Sequence, residues 1–284
     1  MAAHDHPLST RLLEHGYPPP QRLESLQGGC VSTVIQVYWK DKTSAVAKLG
    51  LAPGQAAGEA AGLRALADTQ TLRVPQILSI GDDFLLLEDL GQGRPGPSCW
   101  ADLGKNLARL HGLPATKFGF NCPTWCGATQ QDNRWQEDGA SFFAESRLLH
   151  LGQQCRQREL LDAADFKALQ GLARRLPELI PEMPPALIHG DLWGGNVHIC
   201  AQGEAALIDP AAHYGWAEAE LAMTLLFGGF PPQFYQSYQC HSRIAADWRQ
   251  RASLYNLYHL LNHLLLFGGS YRRQVQDSLH RVSK

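Results

Sequence analysis

The chain is short of three things, and each shortage narrows what it does. It has no run of about eighteen apolar residues, so a membrane-spanning helix is not expected. Neither sign of charge dominates: 25 Lys and Arg stand against 27 Asp and Glu, a formal charge of -2 over 284 residues. Bulk attraction to nucleic acid or anionic lipid is thereby excluded, and any anionic ligand must be held by a few placed groups. The start, MAAHDHPLST, lacks the basic and apolar regions of a secretion signal, and a cytoplasmic protein with no membrane or nucleic-acid partner is expected. The seven cysteines are odd in number and scattered, unlike a secreted disulfide framework. CPTWC (Cys122 to Cys126) has the spacing of half a metal site, but no second Cys or His pair of zinc-finger spacing follows, so loop or core thiols are expected. His259 and His263, an i,i+4 pair, lack the Glu of a zincin motif and read as packing.

What is present is ordinary for a folded protein, 44% apolar and 18% charged, long enough for one large domain or two lobes. LESLQGGCVSTVIQVYWKDKTSAVAKLG clusters β-branched and aromatic residues around the turn KDKT, predicting strands at Val31 to Tyr38 and Ser44 to Leu49 plus a third short one. AAGEAAGLRALA is helical by propensity despite two glycines, with Leu63 and Leu66 on one face. RVPQILSIGDDFLLLEDL reads as two further strands around a Gly-Asp-Asp turn. The Gly- and Pro-rich GQGRPGPSCW continues neither strand nor helix, which places a boundary after residue 90. The expectation is an α+β protein: a small antiparallel sheet with one helix over 1–90, and a mainly helical lobe over 91–284. Helices are predicted at Trp100 to His111, Gly139 to Gln157 and Asp162 to Arg175, with GLPATKFGFNCPTWCGATQQDN as an extended loop. Leu254, Leu257, Tyr258, Leu261, Leu264 and Leu265 recur at helical spacing as a buried stripe near the end.

The chemistry concentrates in LIHGDLWGGNVHI, Leu187 to Ile199. Val197 to Cys200 reads as a strand, AQGE as a turn and Ala205 to Ile208 as the returning strand, so one hairpin gathers Asp191, Asn196 and Asp209. An acid, an amide and a second acid suit phosphoryl transfer: Asp191 as the base for an attacking hydroxyl, Asn196 and Asp209 as Mg²⁺ ligands beside ATP. HGDLWGGN keeps the Asp-to-Asn spacing of five found in kinase catalytic loops. The plain alternative is an Asp- and Asn-stabilised turn. Upstream, Gly28 and Gly29 either let backbone amides approach phosphate or merely turn a hairpin. Lys48 in AVAKL matches the kinase strand lysine, with a water-facing lysine as the alternative. Glu59 is the only carboxylate between Lys48 and Asp68, and it lies in the predicted helix where a Lys-Glu pair requires one. LLLEDL then leads into a hinge whose backbone groups at Glu88, Asp89 and Leu90 are available to an adenine edge.

HGDLWGGN, IDPA, YGWAEAELAM, LFGGFPPQFYQSY and LYNLYHLLNHLLLFGG together resemble the fructosamine kinase (ketosamine-3-kinase) family. That family is a branch of the protein-kinase-like fold related to aminoglycoside and choline phosphotransferases, and the resemblance runs from about Leu26 to Gly269. It implies ATP-dependent phosphorylation of the sugar O3 of a ketosamine, either a small molecule or a glycated protein lysine. Phosphate on C3 stands β to the C2 carbonyl and leaves readily, so elimination then frees the amine, a repair of glycation. By resemblance Asp191 is the proton acceptor, Asn196 and Asp209 hold Mg²⁺, and Lys48 with Glu59 holds phosphate. Trp193 belongs to the loop pattern, where its indole either covers a sugar face or packs against the lobe. The chain departs from relatives after DPA-x-x-Tyr, with Gly215, Trp216, Ala217 and Glu218 where Gly-His-Arg/Ser-Glu is common; Tyr214, Trp216 and Glu218 are substrate-side candidates. Glu220 either braces the catalytic loop or serves only its helix dipole. Cys30, beside the glycines, is by resemblance a redox-control cysteine able to link a homodimer, against a monomer in which it is a small strand residue. Other readings are a phosphotransferase for an aminoglycoside- or choline-like alcohol, and a kinase-like binding protein without turnover.

Overall fold

The computed structural model describes residues 6–26 and 32–282. Gly28, Gly29 and Cys30 lie outside the described residues. Helix α1 (Pro7–Glu14), which the sequence reading did not anticipate, precedes five strands: β1 (Arg22–Leu26), β2 (Thr33–Tyr38), β3 (Ser44–Leu49), β4 (Ile77–Ile80) and β5 (Phe84–Glu88). They form one sheet in the order β1-β2-β3-β5-β4, antiparallel throughout. Strand alternation decides what each face covers. Ile35, Val37, Ala45, Ala47, Phe84 and Leu86 point to one side and are closed over by Leu8 and Leu12 of α1. Leu85 and Leu87 point to the other, where Ala56, Ala60, Leu63 and Leu66 of α2 (Gln55–Asp68) join them to the main core.

After the Gly/Pro segment comes α3 (Cys99–His111). The stretch expected as an extended loop holds a tight hairpin, β6 (Trp125–Cys126) and β7 (Thr129–Gln130), stitched by buried Thr124, Gln131 and Asn133 side chains. Bonding among polar side chains, which apolar periodicity does not register, organises it. The predicted helix over 139–157 is one continuous run, α4 (Gly139–Phe142), a widened π-type turn over Phe143–Leu149, and α5 (His150–Gln157). Asp138 caps its start by accepting from Ser141 N at 2.6 Å. α6 (Ala163–Leu179) begins with an Asp162/Asp165 capping box.

Four short strands follow: β8 (Ala186–Ile188), β9 (Val197–Ile199), β10 (Ala205–Leu207) and β11 (His213–Gly215). β9 and β10 make the expected hairpin; β8 pairs instead with β11, antiparallel. Helices α7 (Ala217–Leu226), α8 (Pro232–His241), α9 (Trp248–Phe267) and α10 (Arg272–Val282) complete the chain. The predicted leucine stripe lies on α9, which is buried along most of its length because α7 packs on it from one side and α10 from another.

Candidate active site

The catalytic corner is built by close approach. Gly190 has φ +82°, and a Cβ there would lie 2.2 Å from the Ala211 carbonyl oxygen, so the turn before Asp191 accepts only glycine. Its amides are fixed from behind: Glu220, in the first turn of α7, accepts from His189 N at 2.5 Å and Gly190 N at 3.1 Å. Of the two roles open to Glu220 from sequence, the structure shows the brace. The His189 ring reaches the Ile208 carbonyl at 2.8 Å, tying the loop to the residue before Asp209, and burial lowers its pKa.

From that corner the side chains converge. Asn196 Nδ2 donates to the Asp191 backbone oxygen at 2.7 Å and to its carboxylate at 3.2 Å. Asp209 holds φ +57°, a left-handed backbone that Asp tolerates better than most residues. Its carboxylate accepts from Lys48 Nζ at 2.6 Å, and Glu59 accepts from the same ammonium at 2.5 Å. Burial alone would lower the Lys48 pKa, but the two carboxylates outweigh it and hold the lysine charged. Glu59 reaches this position because α2 lies hard against the helical half. A Cβ on Gly58 would sit 2.6 Å from both the Pro123 carbonyl oxygen and the Trp125 ring. The glycine that weakens the helix by propensity is the one that lets it dock.

Among the described residues Asp191 forms no ion pair with a basic side chain. Its carboxyl is pushed up to about 7, first by burial and then by the negative Asp209 and Glu220, against hydrogen bonds from Asn196 and the Cys126 thiol. Cys126 was not singled out for this site by sequence; its approach to Asp191 is a tertiary contact with no local signal. Lys48, Glu59, Asp191, Asn196 and Asp209 all border one cleft open to solvent, with Trp125, Trp193 and Phe267 on its walls. Asn196 keeps Oδ1 and Asp209 its second carboxylate oxygen as hard oxygen donors, a set that fits Mg²⁺.

The remaining candidates divide. Trp193 lines the cleft with its indole edge-on to Phe227, centroids 5.7 Å apart. Trp216 and Glu218 do not face the cleft. Trp216 is buried among Phe118, Phe143 and Tyr255, and Glu218, fully buried, takes Arg251 in a two-pronged pair at 2.7 Å and Tyr255 OH at 3.1 Å. A first-turn acid on α7 reads as exposed until Arg251 of α9 is placed beside it. Tyr214 is half-buried against Trp135 and Phe120 and lines a separate groove with Lys117. In the hinge segment two groups serve the fold: Glu88 N donates to Gln76 O at 2.9 Å, and Leu90 O accepts from Ala201 N at 3.1 Å. Asp89 accepts from Gln36 Nε2 at 2.6 Å and Gly91 N at 2.9 Å, bracing the segment.

A strand lysine paired with a helix acid, facing an Asp-Asn-Asp trio across a cleft, in a protein-kinase-like α+β fold, defines the class: an ATP-dependent phosphotransferase. The fructosamine kinase family model matches residues 9–284, and the chain belongs to that family. It is 44% identical to a Synechocystis protein named "Probable ketoamine kinase", over 78% of this chain and 76% of the relative. It is 34% identical to the chloroplastic protein-ribulosamine 3-kinase of Arabidopsis thaliana, over 90% of this chain and 81% of the relative. The crystal structure of a fructosamine-3-kinase-type protein from Thermobifida fusca superposes with a TM-score of 0.89 at 30% identity, covering 98% of each chain. Among the described residues no helix is long and apolar enough to cross a membrane.

Proposed function

We propose that this chain transfers the γ-phosphoryl group of ATP to the sugar O3 of a ketosamine, on a small amine or on a glycated protein lysine. One observation carries the reading. The Lys48 ammonium is fixed between Glu59 and Asp209, while Asp191, held by Asn196, borders the same cleft with its carboxyl close to neutrality in pKa. In this reading Asp191 orients the acceptor hydroxyl and takes its proton, since a base tuned toward the working pH serves best. The Asn196 amide keeps the Asp191 carboxylate aimed into the cleft. Lys48, aligned by Glu59, binds the phosphates of ATP. Asn196 and Asp209 hold Mg²⁺, which when bound supplies neutralisation of phosphate charge. Residues 1–90 thus serve the nucleotide, with Asp89 and the hinge backbone toward the adenine, and residues 91–284 carry the catalytic loop and the acceptor, with Trp193 on the acceptor side. The free thiols of Cys99, Cys122, Cys126, Cys155, Cys200 and Cys240 support a reducing compartment, which we take to be the cytoplasm.

The names of the relatives support ketosamine as acceptor over an aminoglycoside- or choline-like alcohol. The test is ATP consumption with ribulose-lysine, fructose-lysine and a glycated protein, wild type beside Asp191→Asn. Turnover on a ketosamine that disappears in the variant is the expected result. Faster turnover on an aminoglycoside or choline would move the assignment to those acceptors, and ATP binding without turnover on any acceptor would make the chain a binding protein.

A further inference from the structure

Sequence spacing leaves CPTWC and the His259/His263 pair without metal partners, each for want of a neighbour in the chain. The fold supplies the neighbours from elsewhere. Cys126 ends β6, Asp191 lies on the loop after β8 and His259 lies midway along α9; one donor atom from each falls within 4.8 Å of the other two. Cys126 and His259 are only 2% and 5% exposed. Their backbones are pinned, since Asn262 Nδ2 donates to the Cys126 carbonyl at 3.1 Å and the His263 ring contacts the His259 carbonyl at 2.8 Å. Among the described residues His259 Nδ1 has no hydrogen-bond partner although it is buried. An unpaired buried nitrogen is destabilising by itself, and it leaves the ring with donor capacity that the protein does not use.

We propose that Cys126, Asp191 and His259 form a coordination site for a thiophilic divalent cation of the Zn²⁺ class, and that filling it silences the enzyme by taking the Asp191 carboxylate. The silencing rests on the role given to Asp191 above; the coordination does not. Thiolate, imidazole and carboxylate are the donors a borderline-soft ion selects, whereas Mg²⁺ prefers oxygen and keeps its waters. The site is therefore chemically separate from the Asn196/Asp209 oxygens. Bonds of about 2.0–2.3 Å in a tetrahedron set donors ~3.5 Å apart, so from separations of at most 4.8 Å the trio closes by no more than about 1.3 Å, a shift within reach of side-chain rotation. On coordination the Cys126 thiol gives its proton to solvent. Thiolate and carboxylate then cancel the two charges of the cation, so the filled site is neutral, where the empty one carries the single negative charge of an ionised Asp191, and the buried Arg147 guanidinium that acts on Cys126 and His259 faces no excess positive charge. Cys126 and Asp191 both border the cleft, which gives the ion its entrance and leaves a fourth position for water.

Cobalt(II) is the probe, added to metal-free full-length protein without ATP or ketosamine. One equivalent is expected to produce a sulfur-to-cobalt charge-transfer band that Zn²⁺ bleaches. The band should vanish in Cys126→Ser, weaken at least tenfold in affinity in His259→Ala and persist in Cys240→Ser. With ATP, excess Mg²⁺ and buffered free Zn²⁺, the zinc concentration that halves each protein's own zinc-free rate should rise at least tenfold in Cys126→Ser. Should that variant not fold, mass-mapped alkylation of the wild type decides: zinc is expected to protect Cys126 and a chelator to restore labelling. A band that survives Cys126→Ser, an affinity indifferent to His259→Ala, zinc inhibition unchanged in Cys126→Ser, or Cys126 alkylation blind to zinc would each overturn the proposal. Absence of turnover on every ketosamine would count against the acceptor assignment, leaving the cobalt titration to judge the metal site.

Discussion

Lys48 and Asp191 border the same cleft, each ionisable and each drawn out of water, yet their surroundings are opposite. Lys48 has two carboxylates within 2.6 Å and stays charged. Asp191 has an amide, a thiol and the repulsion of two carboxylates, and its proton is held up to about 7. One group is stabilised where it lies; the other is kept reactive at the expense of the fold. The same cleft thus contains a charge held by partners and a carboxyl raised by burial, and, on the proposed roles, substitutions at the two should separate stability from rate.

The largest effect is expected at Asp191. Asp191→Asn removes the proposed proton acceptor and should lower kcat about a thousandfold or more, with the ATP KM nearly unchanged, read by steady-state ATP turnover. Its effect on stability should have the opposite sign. A carboxyl whose folded pKa is raised contributes stability that is full below its unfolded value, near pH 4, and is lost as pH climbs through about 7. The ligand-free variant should therefore exceed wild type in stability by up to about 4 kcal/mol above pH 7, with no gain near pH 4. Thermal melts at the two pH values check this, and a variant less stable than wild type at pH 8 would end the contrast with Lys48.

Glu59→Ala comes next. It strips one partner from a buried cation that keeps Asp209, so a loss of about 2–3 kcal/mol is expected, together with a weaker ATP KM. Denaturant midpoints and initial rates measure both. Glu218→Ala should match it in stability and not in kinetics: it takes the acceptor from the Tyr255 hydroxyl and leaves Arg251 with Asp247 alone, costing about 2–3 kcal/mol, while the ketosamine KM stays within twofold. A raised KM with intact stability would return Glu218 to the acceptor side.

These sites also show where a sequence is readable. The hairpin that gathers the candidate site was legible because its residues are near neighbours whose spacing the strands enforce: thirteen positions separate Asn196 from Asp209, and the Ile208 amide does bond the Asn196 carbonyl at 3.1 Å. Glu59 was legible by elimination. The β8 and β11 pairing, the fate of Glu218 and the approach of Cys126 and His259 to Asp191 were not, because each depends on which face of α7 or α9 meets which loop. Periodicity reports that α9 is buried but not what it is buried against. Likewise, Gly58 reads as a weakness in α2 until Trp125, far along the chain, is placed against it.

The smallest effect is expected at Tyr214. Resemblance put it on the substrate side, near the departure at Trp216, but its ring packs on Trp135 and Phe120 and faces a groove lined by Pro114, Thr116 and Lys117. Its backbone has a definite duty, exchanging hydrogen bonds with Gly119 at 2.8 and 3.0 Å and pairing across β8, and that duty survives any side-chain change. Tyr214→Phe keeps the aromatic contacts and removes only the hydroxyl, so kcat/KM for the preferred ketosamine should move by less than about twofold, under 0.5 kcal/mol. The comparison it sharpens is between the cleft and the groove. If the groove receives part of a glycated protein, the same variant should leave free ribulose-lysine untouched and slow the protein substrate alone; a tenfold loss on the small substrate would instead mean that Tyr214 reaches the cleft when the acceptor is bound.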